Sequence, residues 1–408
     1  MRTTLNRNTK LFLISTLLYG FSFSVWELFF NLYILSLGFN NDVLGLIRFA
    51  TPLAALVIGL PLGLFSDRVG RRTSMLIGLG VGFLGMFFQI RLPNPILIFL
   101  FGLAQGAGFM LYRVAQPPFI MASSKKENQA IIFSLNFSLL TIATTIGNLV
   151  AGQMPNLLEG WLGIAQGTAA SYQWVITASI FLAVTSLIPV FLIKESVNNF
   201  NLNQVRLPIQ AILRKLIARR IIRQLATTNM IQGFGAALLI PYLNVFLRGK
   251  FNIGDDLLGL IFSLSSLFVF LGSMISPWLI KITRSRIIPT VATQGSSLIF
   301  LLTLGFSPIQ WFAVVSLLFR TVLMQMSLPL LDNFAMLVSQ PEEQGTIASV
   351  RAIGWQAGQA IGIFLSGFIQ TRFGFEPIFI ATGLLYFITI TLNWVYFRPK
   401  EKGLSFAG

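Results

Sequence analysis

Twelve long apolar runs with few charges fill most of this sequence, and a chain patterned that way has few folds open to it. Read between charged or turn-rich breaks, they lie near residues 9–37, 43–66, 73–91, 95–121, 129–155, 172–193, 224–247, 257–280, 287–306, 309–338, 346–370 and 376–397. A helix needs about 20 apolar residues to cross a hydrocarbon layer about 30 Å thick, and these runs reach that scale. Within lipid only helices and closed barrels satisfy their own backbone hydrogen bonds. Barrel strands would show short alternating segments, which these unbroken runs do not. An all-α membrane protein follows. Composition agrees: charged residues are 10% of the 408, against about 25% in a typical soluble domain. The first run is too long for the core of a cleavable signal peptide and lacks a small-residue cleavage site. Cysteine and histidine are absent from the sequence, which excludes disulfide frameworks, thiol catalysis, zinc sites of the usual ligands and histidine proton relays.

A formal net charge of +16 would fit a polyanionic partner, so its placement matters. With both termini in the cytoplasm, 21 of the 29 Lys and Arg fall in inner loops and tails. The outer loops hold Arg91, Arg248, Lys250 and Arg372. Arg48, Arg113, Arg320 and Arg351 lie within the runs themselves. Positive loops stay cytoplasmic, so this asymmetry sets the topology and accounts for the charge without nucleic acid. The expected location is the plasma or inner membrane. The longest inner connection, 194–223, separates a six-span half at 1–193 from another at 224–408. Within it, 207–223 reads as a basic amphipathic helix on the inner leaflet, a tether or alternatively a regulatory element.

The halves repeat. Tyr19-Gly20-Phe21 and Asn31 match Gln232-Gly233-Phe234 and Asn244 at an offset of 213, and Phe39-Asn40 with Leu44-Gly45-Leu46-Ile47 recurs as Phe251-Asn252 with Leu258-Gly259-Leu260-Ile261. Gly147 and Gly152 match Gly362 and Gly367 at an offset of 215. Repeated six-span halves predict two pseudo-symmetric bundles enclosing a cavity that opens alternately to either side.

Between the second and third runs stands Gly63-Leu-Phe-Ser-Asp67-Arg68-Val-Gly70-Arg71-Arg72. It resembles the inner-loop signature of the major facilitator superfamily, G-x-x-x-D-R-x-G-R-R/K. The span number, the long central loop and the repeat extend that resemblance over essentially the whole chain. It implies the two-bundle fold, transport by alternating access, and a conformational latch made by Gly63, Asp67, Arg68, Gly70, Arg71 and Arg72. In the family the aspartate faces the start of span 11, where Arg351 is an added partner for Asp67 or Asp332. The second-half counterpart, Pro277 to Arg286, keeps charge but lacks the aspartate and glycines, so no latch is assigned there. Gly102-Leu-Ala-Gln105-Gly106-Ala-Gly108 resembles R-x-x-Q-G-x-G with glycine at the arginine position, which weakens a proton-driven reading. Gly147-Asn-Leu-Val-Ala-Gly152 resembles the G-P-x-x-G-G antiporter pattern with Asn148 in place of proline. Close packing by small residues explains that spacing equally well.

Charges inside a span cost about 2.5–3.5 kcal/mol each on insertion scales, so each needs a partner or a watery cavity. Glu27 is the acid well inside a run, and Arg113 and Arg320 are the deepest cations. By family position these three face one another across the cavity. Asn31 shares a face with Glu27 at i, i+4, Gln116 follows Arg113 at i, i+3, and Gln359 follows Trp355 at i, i+4. Trp26 and Trp355 are the aromatics singled out for the cavity. Arg48, early in its span, is expected to snorkel outward. Glu27 either binds a proton or cationic group, or forms a permanent ion pair with one arginine. The expected function is proton-linked efflux of a small amphipathic compound. The alternative is uptake or facilitated diffusion of a polar metabolite, a sugar or organic anion. A sensor or scaffold role lacks an appended domain to carry it. No enzyme activity and no cofactor or metal are expected, because no nucleophile–base set or metal cluster appears. A monomer in the bilayer is the expected state.

Overall fold

The computed structural model describes residues 5–124, 126–194, 219–339 and 344–402. Residues 207–218 of the expected amphipathic helix lie outside them, and Arg220 already opens the next helix. Regular structure among the described residues is entirely helical: α1 (Arg7–Ser36), α2 (Asn41–Val69), α3 (Arg71–Arg91), α4 (Pro95–Ala122), α5 (Lys126–Leu162), α6 (Ala169–Val184), α7 (Leu187–Phe191), α8 (Arg220–Leu239), α9 (Leu243–Phe251), α10 (Asp255–Thr283), α11 (Ile287–Phe306), α12 (Gln310–Leu337), α13 (Gln344–Phe373) and α14 (Glu376–Lys402), with a 3₁₀ turn at Ile240–Tyr242. They supply 12 segments long and apolar enough to cross a membrane.

Two of those segments are broken, each at a proline. Between α6 and α7 the break falls at Thr185, whose carbonyl the ring of Pro189 would meet four residues on. Between α8 and α9, Pro241 has no N–H to return, and the chain tightens into the 3₁₀ turn. Helix starts follow local chemistry. Asn6 accepts from the Thr9 N–H, Asn94 from Ile96 and Leu97 ahead of Pro95, and Thr168 from Ser171. Asn252 ends α9 in the left-handed conformation.

The chain divides into two compact units, Met1–Val197 with Pro241–Leu267, and Asn198–Ile240 with Phe268–Gly408. In the first, α1 packs on α5 and α6, and α4 on α2 and α3. In the second, α8 packs on α13 and α14, and α11 on α12 and α14. The internal repeat is therefore visible as repeated contacts. A Cβ on Gly147 would lie 2.7 Å from the Phe21 carbonyl, and one on Gly362 would lie 2.6 Å from the Phe234 carbonyl. Gly20 abuts Leu140, and Gly233 abuts Trp355. All four pairs keep the offsets of 213 and 215 found in the sequence. Only glycine tolerates such approach, and in lipid, where helices gain nothing by hiding apolar surface, close packing is what holds them together.

Glu401, fully buried near the end of α14, closes the start of α11. Its carboxylate accepts from the Ser285 hydroxyl at 2.6 Å, the Arg286 N–H, the Ile287 N–H at 3.2 Å and Arg398 Nη1 at 2.8 Å. A carboxylate at a helix N-terminus satisfies free backbone donors and opposes the helix dipole. Below it, Phe334 and Phe397 pack with Ile222, Leu225 and Ile287. Large apolar side chains such as Trp161, Ile96 and Phe181 remain exposed on the helices, as a lipid-facing surface requires.

Candidate functional site

In the first unit α1 carries Tyr19, Phe23, Trp26, Glu27 and Asn31 on successive turns. Glu27 and Arg48 of α2 form a forked ion pair, Nη1 to Oε1 at 3.1 Å and Nη2 to Oε2 at 2.7 Å. Arg48 therefore does not snorkel outward: its side chain is 11% exposed, while that of Glu27 is 41% exposed. A parallel fork between planar groups is the strongest geometry a guanidinium offers a carboxylate, and it outweighs the pull of the headgroups. The Arg48 cation also sits 5.8 Å from the Phe30 ring, which stacks on Trp26 at 4.1 Å. Trp26 is 1% exposed, so it backs the ion pair from inside the unit.

On α4, Arg113 is exposed and Gln116 half-buried. Tyr19 packs on Phe23 at 5.6 Å, Phe109 at 5.4 Å and Tyr112 at 5.2 Å. The result is a carboxylate–guanidinium pair and a second cation beside an aromatic wall.

Asn31 is fully buried and its amide is used elsewhere. Its Nδ2 donates to the Pro241 carbonyl at 2.5 Å and to Asn244 Oδ1 at 3.0 Å. Asn244 Nδ2 donates in return to the Leu28 carbonyl at 2.7 Å. Each asparagine thus reaches the carbonyl three residues before its partner, and the two are repeat equivalents. Nearby in sequence, Asp255 Oδ1 accepts from Arg248 Nη1 at 2.9 Å and from the Tyr172 hydroxyl at 3.0 Å, and Arg248 Nη2 donates to that hydroxyl at 2.6 Å. These two clusters tie Pro241–Leu267 to α1 and α6, and the sequence reading identified neither. The matched Asn31–Asn244 offset was the available signal.

In the second unit Arg320 of α12 is 4% exposed and donates from Nη2 to the Tyr386 hydroxyl of α14 at 2.9 Å. Tyr386 borders a narrow cleft with Gln232, Gln294, Met324, Thr389 and Ile390. Trp355 and Gln359 are partly buried on α13, and the Trp355 carbonyl lies against Gly233.

The α2–α3 connection places its residues as an ion-paired corner. Asp67 pairs with Arg71, whose Nη1 also lies 3.4 Å from the Ser66 hydroxyl. Gly70 turns the chain with φ +96°, a conformation that disfavours side chains. Arg68 is exposed, and Gly63 comes within ordinary contact of Val114. Arg72 donates to the Phe191 carbonyl at 2.6 Å and lies 5.1 Å from its ring, fastening α3 to the end of α7. Of the two acids considered for Arg351, Asp332 holds it, at 2.7 Å. A sequence-family model described as Major Facilitator Superfamily matches residues 12–351 and 225–407. The chain belongs to the major facilitator superfamily.

This superfamily member is a multi-pass membrane transporter. A stretch of 97 residues is 34% identical to the uncharacterized MFS-type transporter YfkF of Bacillus subtilis (strain 168), covering 23% of this chain and 25% of that protein. Solved structures with the same fold include a mutant of the nucleoside transporter NupG, with TM-score 0.79 and 13% identity over 96% of this chain and 99% of that one. A bacterial homolog of the human lysosomal transporter Spinster gives TM-score 0.77 and 13% identity over 99% and 100%. The D-xylose-proton symporter gives 0.74 and 14% over 98% and 99%. At such identities these likenesses establish the architecture. The transporter's chemistry has to be argued from its own side chains.

Proposed function

We propose that this transporter moves a small amphipathic molecule out across the plasma or inner membrane by alternating access of the halves 1–193 and 224–408, with Glu27 as the carrier of a coupling proton. The observation that carries this reading is the asymmetry of the Glu27–Arg48 pair. The acid is open enough to exchange a proton with water, whereas its partner is nearly enclosed. Protonating Glu27 removes both charge-assisted bonds and leaves the nearly enclosed guanidinium without its counter-charge, a change that costs about 3–5 kcal/mol in fully buried pairs and less here, where the acid is 41% exposed. Proton uptake therefore forces a rearrangement or the arrival of a replacement group, which is what coupling requires. Phe23, partly exposed one turn before Glu27 and backed by the buried Tyr19 and Phe109, offers the apolar part of the molecule a surface, and Trp355 and Gln359 are assigned as substrate contacts of the second unit. Residues 63–72 and Arg351 act as the conformational latch. The termini are cytoplasmic and the transporter works as a monomer. Proton coupling has a precedent on this architecture in the D-xylose-proton symporter.

A second reading, uptake or facilitated diffusion of a polar metabolite, is favoured by the exposed Arg113 and its neighbour Gln116. Proteoliposomes with an acidic lumen separate the two. Dansyl-lysine, an amphipathic fluorescent zwitterion, should accumulate while the lumen becomes more alkaline, and Glu27→Gln should lose both effects. Accumulation indifferent to the pH gradient and to Glu27→Gln would defeat proton coupling, and no movement of dansyl-lysine would favour the polar-metabolite reading.

A further inference from the structure

Among the described residues, Arg320 is a buried cation without an ion-paired acid. Arg48, Arg71, Arg248, Arg351 and Arg398 each face a carboxylate among the described residues. Arg320, at 4% exposure, has the neutral Tyr386 hydroxyl on Nη2 and no partner on Nε. A buried guanidinium without a counter-charge is costly, and unlike lysine it cannot shed its proton. The surrounding polar groups compound this. Gln294 is committed at both ends, donating to Ser327 at 3.1 Å and accepting from Asn393 at 3.2 Å. The Thr389 hydroxyl donates to the Leu385 carbonyl at 2.9 Å. Gln232 Nε2, in a residue 3% exposed, has no acceptor. Because the Tyr386 oxygen accepts from Arg320, its own hydrogen is available to donate.

Two donors, Gln232 and Tyr386, therefore border the cleft, and Arg320 brings a positive charge to the Tyr386 hydroxyl without an ion-paired acid among the described residues. Met324 and Ile390 supply the cleft's apolar walls. The cleft is closed to a water-sized molecule in this form; we propose that in a form of the transporter where it opens, Gln232, Tyr386 and Arg320 make a subsite for a monoanionic group, a carboxylate attached to an apolar body, as part of the transported molecule. Apolar walls disfavour strongly hydrated divalent anions, and the Arg320 charge repels a cation. The inference rests on the reading of the chain as a carrier of amphipathic molecules and specifies the charged end of that cargo.

Butyrate and its neutral isostere butyramide test it by thermal unfolding of the purified full chain, at constant ionic strength with sodium sulfate as the balancing salt. Butyrate should raise the melting temperature of the parent protein in a saturable way, and butyramide should not. Arg320→Gln should weaken butyrate binding by about tenfold or more, the usual worth of a hydrogen bond to a charged group, and Gln232→Leu should weaken it as a second variant that leaves the arginine in place. No butyrate effect on the parent protein, an equal effect of butyramide, or parental butyrate affinity in both Arg320→Gln and Gln232→Leu would each overturn the subsite. Butyrate binding retained while dansyl-lysine movement ignores the pH gradient would instead defeat the coupling role of Glu27 and leave the subsite standing.

Discussion

Replacing Asn31 by alanine should loosen Pro241–Leu267 from the helices it packs against, by an amount the geometry bounds. The change deletes two hydrogen bonds, to the part-buried Pro241 carbonyl and to the buried Asn244 Oδ1, which keeps the Val245 N–H at 2.9 Å. Interhelical hydrogen bonds within membranes average about 0.6 kcal/mol and reach about 1.7. Two of them are worth about 1–2 kcal/mol, so the detached form should rise roughly 5–30-fold. The return bond from Asn244 to the Leu28 carbonyl survives, which keeps the effect from being larger. Asn31→Asp should be worse than alanine, since a carboxylate offers no donor and faces two acceptor oxygens. The natural absence of cysteine makes the measurement direct. Val245→Cys places a thiol at a site only 7% exposed, and its rate of reaction with a membrane-impermeant maleimide reports detachment. The rate should rise in Asn31→Ala and rise further in Asn31→Ala/Asn244→Ala. A labelling rate unchanged by Asn31→Ala would refute the view that this exchange holds the segment.

Glu401→Ala should destabilise the purified protein by about 3 kcal/mol, because it leaves Arg398 without its counter-charge and uncaps α11; a melting temperature within a degree of the parent would count against this. Gly147→Val and Gly362→Val should each cost about 1–3 kcal/mol by overpacking, and by similar amounts, since both insert a side chain against the repeat-equivalent carbonyl; a large loss from one and none from the other would show that the repeat is not kept in the packing. Asp67→Asn should shift the resting population toward forms open to the cytoplasm, read as faster labelling of cysteines placed on that side. Unchanged accessibility there would remove the latch role.

The spans were legible because a bilayer demands one thing of every crossing segment, and the sequence meets that demand in long apolar runs. The repeat was legible too: the shared offsets recur as matched glycine contacts. Pairings across helices were harder. Arg48 lies 21 residues from Glu27 on another helix, and whether it turns toward lipid or toward that acid depends on the rotation of α2 about its own axis. Hydropathy does not encode that angle. Tyr386 escaped notice as the partner of Arg320 for a similar reason, since one aromatic among many on an apolar helix carries no mark of what its hydroxyl touches. Arg248 reads in the sequence as a loop cation that merely sets topology, whereas it joins, part-buried, a triad with the buried Asp255 and Tyr172. The Asp67 corner was readable because its charges and its glycine lie within one short stretch of chain.

The exchange between Asn31 and Asn244 has one more consequence. Matched positions giving and receiving the same bond form an isologous contact, the kind two identical subunits make where they meet. A single six-span ancestor pairing with its own copy would have made both bonds with one asparagine codon. In this chain two codons share that work, and each asparagine answers for the carbonyl opposite the other, so loss at either position is felt at both.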